Sequence, residues 1–343
     1  MAEPVRVVLV GAGRAGLVHG RNLSANVEGA VLQAVADPDR AAVEAAAKAL
    51  GCDRTHADPV AAVTHEDVDA VVIAAPTFAH ADVAVAALEA GKHVLCEKPL
   101  ASNLDEARRI AAAAARSSAT FLMAFMRRFD RNFVRASEHV RAGDIGQPLL
   151  VRSTGRGPGL PPEWAWDTRR SGGLVAEVNS HDIDTIRWLS GQEPVRIYAV
   201  GRAAKRPDLA ARYPGFVDVL TATIELSDGA LGQLDGACPA DYGYDARVEV
   251  LGTEGTLLVG GPADHGVVLV RAEGAVSEPV RSWRELFAEA YRAEDRHLVD
   301  VARGEDVPRS SVEDGLMGLA TVVATNRSME TGRAVELSEV LPA

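Results

Sequence analysis

Short apolar runs bounded by glycine, proline or charged residues recur through the first 125 positions: Val5–Val10, Ala30–Ala36, Ala70–Ala75, His93–Cys96 and Thr120–Phe125. Runs this short without polar alternation fit strands covered on both faces, the condition inside a parallel sheet. Helical stretches separate them. One reaches about Ser24, and others span Arg40–Leu50, Pro59–Val63, Asp82–Ala90 closed by Gly91, and Asp105–Arg116 opened by the capping box Ser102-x-x-Asp105. Strand–helix alternation of this kind predicts a doubly wound parallel sheet over residues 1–125.

Past Met126 the pattern changes. A helix Asn132–Ala142 stops at Gly143, and a strand Pro148–Thr154 enters a loop rich in Gly, Pro, Trp and Arg that runs to Gly172. From Gly173 to Gly191 the spacing predicts one helix. Alternating strands follow at Arg196–Val200, Val217–Leu226, Ala230–Asp235, Ala246–Leu251, Thr256–Val259 and Val267–Arg271, with Asp228-Gly229 as a hairpin turn. Two helices close the chain, Trp283–Arg303 and Val312–Met329, the second capped by Ser310-x-x-Glu313 and stopped by Gly332. Residues 126–343 therefore read as an α+β domain on a largely antiparallel open sheet, and the chain as a whole as α/β.

Composition narrows the function. The 343 residues exceed one compact core, which agrees with two domains. A net charge of −12 argues against a nucleic-acid or anionic-membrane surface. The three cysteines, Cys52, Cys96 and Cys238, are dispersed and show no zinc spacing, so a reducing compartment is expected. Met-Ala-Glu-Pro leads straight into the first strand without a signal-like apolar segment, and no run is long enough to span a bilayer, so a cytoplasmic location is expected.

Three clusters carry candidate chemistry. Gly11-Ala12-Gly13-Arg14-Ala15-Gly16 follows the first strand and opens a helix: the first glycine permits a tight turn, the second lets backbone approach a pyrophosphate, and the third lets helix and strand pack closely. Asp37 ends the second strand, about 20 residues on, where a carboxylate accepts from ribose hydroxyls and repels a 2′-phosphate. It could equally cap the following helix with Pro38 in the first position. Arg14 and Arg40 are the residues that could instead reach a phosphate. The second cluster is Glu97-Lys98-Pro99, at the carboxyl end of a buried strand, where ligands bind in open α/β sheets. The third is Glu177, His181 and Asp184, which share a face if the segment is one helix; a carboxylate one turn before a histidine can fix its tautomer. An exposed i,i+4 pair is the plainer alternative, and no third ligand argues for a metal.

Taken together, GAGRAG with Asp37, Glu97-Lys98-Pro99 and GGLVAEVNSHDID resemble the family of glucose–fructose oxidoreductase and inositol 2-dehydrogenase (Gfo/Idh/MocA) over nearly the whole chain. Phe125-Met126-Arg127-Arg128-Phe129-Asp130, Tyr242-Gly243-Tyr244-Asp245 and the spaced Trp283, Phe287 and Tyr291 bring it nearest to the inositol enzymes. The resemblance implies a Rossmann domain and a C-terminal domain that builds homodimers or homotetramers, and Asp37 leads us to expect NAD in preference to NADP. The resemblance also implies a catalytic lysine at Lys98 and a catalytic histidine at His181, with Glu177 beside it. The cofactor would be held by Gly11, Gly13, Arg14, Ala15, Gly16, Asp37, Arg40, Ala75, Thr77, His80, Glu97 and Lys98. Arg127, Asp184 and Tyr244 would line a polyol site. One departure is that the inositol enzymes carry Asp where this chain has Glu177, and the Gly155–Trp166 loop has no clear counterpart. The expected reaction is oxidation of a secondary hydroxyl of a cyclitol or related sugar, with an NADPH-dependent keto-sugar reductase or a non-catalytic dinucleotide-binding regulator as alternatives.

Overall fold

The computed structural model describes residues 3–64, 67–261 and 263–342, with the side chains of 264–267 also outside the description. Met1 and Ala2, the first residues of the Met-Ala-Glu-Pro stretch before the first strand, lie outside the described residues. Two compact units divide the chain: Met1–Phe129 with Glu289–Leu316, and Asp130–Ala288 with Met317–Ala343.

The first unit is built on a parallel sheet of six strands: β1 (Val5–Val10), β2 (Ala30–Ala36), β3 (Thr55–His56), β4 (Ala70–Ile73), β5 (His93–Glu97) and β6 (Phe121–Ala124), in the order β3-β2-β1-β4-β5-β6. Each residue of β4 and β6 is buried, as unbroken apolar runs require. The two-residue β3 is too short to leave a sequence pattern. Register aligns the carboxyl ends: Val10 pairs with both Ala36 and Ile73, Ile73 with Cys96, and Glu97 with Ala124. Strand order reverses between β1 and β4, so the turns leaving those strands meet at the switch point. A single cut near residue 125 does not describe this unit, because Leu298, Val299 and Val301 from the returning helix Ala288–Ala302 bury in the same core as Val7, Leu9 and Val35.

Local capping departs from expectation in three places. Asp39, not Asp37, caps the helix Arg40–Leu50, accepting from the amides of Ala41 and Ala42 at 2.9 and 3.1 Å. Asn103 caps Leu104–Arg116 by accepting from the Glu106 amide, while Glu106 reaches back to the Ser102 amide. Ser311 and Asp314 form the reciprocal cap of the helix Val312–Thr331, because the Ser310 hydroxyl is spent on the Met123 carbonyl at 2.5 Å. Serine and asparagine neighbours have nearly equal capping tendency, so only tertiary contacts decide between them.

The second unit holds a seven-stranded sheet made of β7 (Pro148–Arg156), β8 (Pro194–Arg202), β9 (Val219–Leu226), β10 (Leu231–Ala237), β11 (Asp245–Gly252), β12 (Thr256–Val259) and the short β15 (Val335–Glu336). β13 (Ala263–Arg271) and β14 (Gly274–Pro279) form a separate hairpin. The large sheet runs β12-β11-β7-β10-β9-β8-β15, antiparallel except for β7 beside β10. Its strands alternate: Leu220, Ala222, Ile224 and Leu226 of β9 face the core, while Tyr198 and Val200 of β8 are exposed on the opposite face. The Asp228-Gly229 turn forms as expected, with Gly229 at φ +89° and the Asp228 carboxylate on the Ala230 amide. The segment expected as one helix from Gly173 to Gly191 is two, Gly173–Glu177 and Ser180–Ser190, broken at Val178 and Asn179. The expected helix Trp283–Arg303 likewise breaks after Leu286.

Candidate active site

In the first unit the glycine-rich turn leaves β1 at the switch point. Gly11 has φ +103°, and a Cβ there would lie 2.5 Å from the Ala74 carbonyl oxygen and 2.6 Å from the Ala75 nitrogen. At Gly16 a Cβ would lie 1.9 Å from the Gly11 carbonyl oxygen. These two glycines are therefore required by the protein's own backbone. Gly13 differs: a Cβ there meets nothing within 4 Å. It caps the helix Arg14–Arg21 without a side-chain hydrogen bond, so the first-turn amides and the positive helix end serve an anion arriving on that open side. The residues present therefore fit a dinucleotide pyrophosphate.

Asp37 stands at the end of β2, half-buried, with one carboxylate oxygen on the Ala12 amide at 2.8 Å and the other on the Asp39 amide at 2.9 Å. It braces the glycine turn as well as presenting its charge there. Arg14, beside Gly13, is exposed, and Ala15 follows it half-buried. Arg40 is exposed and paired with Glu44 at 2.9 Å. Thr77 opens a short 3-10 turn and is buried. His80 is buried too: its Nε2 lies 2.9 Å from the Ala75 carbonyl oxygen and its Nδ1 2.9 Å from that of Pro99. Burial keeps its pKa below the usual histidine value against the pull of both carbonyls. His80 thus sits between the end of β4 and the Lys98-Pro99 turn with both ring nitrogens facing protein carbonyls, to one of which the neutral ring donates.

Glu97 is likewise engaged by the protein. Its Oε2 accepts from the Lys98 amide at 3.1 Å, and its Oε1 lies 3.3 Å from Nε2 of His19. His19 is fully buried; its Nδ1 sits 2.6 Å from Asp295 Oδ1, while Asn22 donates to Asp295 Oδ2 at 2.8 Å. Burial alone would lower the His19 pKa, but the charge and hydrogen bond of Asp295, then those of Glu97, hold it well above the usual value. His19 is therefore an imidazolium bridging two buried carboxylates. Burial works against ionisation of Glu97, and the contacts with His19 and Lys98 outweigh it, so its pKa is lowered. Lys98 itself is half-buried at the strand end. The sequence reading missed His19, Asn22 and Asp295. His19 was open to discovery as the one polar member of a buried stripe with Gly16, Gly20 and Leu23. Asp295 lies 276 residues from His19, and no local signal links them. Arg127 is almost wholly buried in the 3-10 turn after β6, while Arg128 beside it holds the Arg309 carbonyl and Asp314.

The remaining candidates belong to the second unit. Glu177 ends the helix Gly173–Glu177, whereas His181 and Asp184 lie buried on Ser180–Ser190. The segment that the sequence grouped as one helix is thus divided between two, with His181 and Asp184 together on the second. Tyr244 is buried edge-to-face against Phe287, with ring centres 6.2 Å apart, just before β11. Its neighbour Tyr242 donates to Asp245 at 2.6 Å and so serves the strand. Of the aromatic series, Phe287 belongs to this unit, and Tyr291 packs on His19 in the first.

Comparison with known proteins agrees with this arrangement. Residues 5–125 match the family model described as "Oxidoreductase family, NAD-binding Rossmann fold", and residues 133–258 match the "GFO/IDH/MocA C-terminal domain". The chain is 32% identical to scyllo-inositol 2-dehydrogenase (NAD(+)) of Bacillus subtilis, covering 98% of this chain and 97% of that protein. It is also 32% identical to Myo-inositol 2-dehydrogenase of Thermotoga maritima, over 98% of this chain and 100% of the relative. Among solved structures, scyllo-inositol dehydrogenase from Lactobacillus casei with bound NAD(H) and scyllo-inositol superposes with a TM-score of 0.90 at 31% identity, covering 98% of this chain and 100% of that one. With both halves matched in order and relatives spanning its whole length, the chain belongs to the Gfo/Idh/MocA oxidoreductase family.

Proposed function

We propose that this protein is an NAD-dependent dehydrogenase that oxidises a secondary hydroxyl of an inositol or closely related cyclitol. The observation that carries the reading is the near-full-length identity of 32% to an NAD-dependent scyllo-inositol 2-dehydrogenase. The glycine turn supports it, since Gly13 leaves room for a pyrophosphate where Gly11 and Gly16 do not. So does Asp37, whose carboxylate disfavours a 2′-phosphate, while Arg40 is held by Glu44.

When bound, NAD supplies the nicotinamide acceptor for hydride. In the proposed division of roles His181 takes the hydroxyl proton, and Lys98 donates from Nζ to the same oxygen and stabilises its developing charge. Glu177 holds the imidazole tautomer, and Arg127, Asp184 and Tyr244 bind the remaining hydroxyls. Gly11, Gly13, Arg14, Ala15, Gly16, Asp37, Ala75 and Thr77 form the dinucleotide cradle, with Glu97 and His80 bracing the lysine turn. A cytoplasmic location and a homodimer or homotetramer assembled through the exposed face of the seven-stranded sheet complete the reading. Among the described residues no helix is long and apolar enough to cross a membrane. A panel of inositol stereoisomers and monosaccharides, each assayed with NAD and NADP by nicotinamide reduction, tests the assignment. Turnover confined to NADP, or to non-cyclitol sugars, refutes it.

A further inference from the structure

Between Glu177 and His181 the chain leaves the helix, and the reason lies in the sheet beneath. Gly155 of β7 pairs directly with Gly236 of β10, both turned toward the helix side. A Cβ at Gly236 would lie 2.2 Å from Asn179 Oδ1, and one at Gly155 would lie 2.0 Å from Asp182 Oδ2. The two missing side chains make a floor on which Asn179 and Asp182 lie. Asn179 Nδ2 donates to Asp182 Oδ2 at 2.8 Å and to the Gly155 carbonyl at 3.4 Å, and the Ser153 hydroxyl donates to Asp182 Oδ1 at 2.6 Å. Ser153, Asn179 and Asp182 are each fully buried.

The backbone responds to these bonds. Val178 and Asn179 have φ/ψ of −110/−49° and −93/1°, and the Asn179 carbonyl starts the next helix by accepting from the amides of Asp182 and Ile183. The Ser180 hydroxyl meets the Ala176 carbonyl at 2.5 Å. His181 is therefore flanked on both sides by residues pinned to the sheet. Glu177, one turn earlier in the chain, ends the preceding helix. The arrangement also carries a cost: Asn179 Oδ1 is buried without a hydrogen-bond partner, which an apolar residue at this position would avoid.

We propose that Asn179 is a positioning residue for His181: seated on the Gly155–Gly236 floor and tied to Asp182, it breaks the helix after Glu177 and sets the direction in which the imidazole is presented. This rests on the reading of His181 as general base. Loss of alignment at a base by about an ångström costs on the order of 100-fold in rate, so the effect falls on turnover rather than on cofactor binding.

The test uses the full chain and four variants: Asn179→Gly, Gly236→Ala, Asp182→Asn, and the reciprocal pair Asn179→Asp with Asp182→Asn, which restores an amide–carboxylate bond with its polarity reversed. Gly236→Ala removes no polar group; it only displaces the end of the Asn179 side chain. For each, kcat and KM with the preferred cyclitol, the NAD dissociation constant and the melting temperature are measured. The expected result is a loss in kcat of roughly 10- to 100-fold for the three single variants, NAD affinity within about twofold of wild type, and recovery of most of the loss in the reciprocal pair. Folded single variants that keep kcat within about twofold of wild type overturn the proposal, even if they melt earlier, because Asn179 then serves stability alone. If Asn179→Gly does not fold, Gly236→Ala and Asp182→Asn decide by the same criteria. His181→Ala, measured alongside, separates the two claims. Wild-type turnover in His181→Ala removes the base and the proposal with it, whereas an inactive His181→Ala beside active Asn179 variants removes only the role of Asn179.

Discussion

Replacing His19 by leucine tests the buried network that holds the lysine turn. In the folded chain His19 is an imidazolium with both nitrogens on carboxylates, and its side chain and that of Asp295 are fully buried. Leucine fills much of the same volume but leaves Asp295 and Glu97 without their shared cation. Removing one partner of a buried ion pair costs about 3–5 kcal/mol, because an uncompensated charge remains. For a unit of this size each kcal/mol moves the melting temperature by about 2–4 °C, so a drop of roughly 6–20 °C is expected. The pH dependence has a definite sign. His19 has a raised pKa, so its contribution is complete below the unfolded value of about 6.5 and is lost as pH rises through the folded value. Glu97 has a lowered pKa, so its contribution is present above its unfolded value and is lost as pH falls through the folded one. The network should therefore stabilise most in the window between the two. Calorimetric melts of wild type and His19→Leu from pH 4 to 9 measure both the deficit and its slope. A variant melting within about 2 °C of wild type, with an unchanged pH profile, would refute the ionised network.

Other substitutions separate binding from chemistry. Gly13→Ala should leave the melting temperature unchanged, since its Cβ meets nothing within 4 Å, yet weaken NAD by about tenfold or more; Gly11→Ala, forced onto Ala74, should destabilise the fold in thermal melts. Lys98→Ala should lower kcat and kcat/KM together by roughly 100-fold or more in steady-state assays while NAD titration stays near wild type, and unchanged turnover would reduce Lys98 to a strand end. His181→Ala should abolish most activity and the loss of oxidation at low pH, seen by comparing pH–rate profiles, whereas Glu177→Asp should keep activity and shift preference among cyclitols.

The sequence by itself was sufficient wherever the deciding physics is local. Unbroken apolar runs became β1, β2, β4, β5 and β6, and alternating ones became the second sheet except for Val267–Arg271, which lies in the separate β13–β14 hairpin, because burial on two faces or on one writes itself into successive residues. Gly11 and Gly16 were legible because positive φ or close backbone approach excludes a side chain, Gly13 because a pyrophosphate needs open backbone there, and Asp37 followed from its spacing. What the sequence could not decide is where distant segments compete for one group. Ser310 and Ser311 are equal caps until Met123 claims the Ser310 hydroxyl. The strand-end Glu97 becomes a buried ion-pair partner only because a helix almost 200 residues later delivers Asp295 to His19. Glu177 and His181 fall in one helix by periodicity, whereas the folded chain divides them between two, above paired glycines that admit Asn179 beneath it. Such features depend on contacts of large sequence separation, and neither periodicity nor capping preference encodes those.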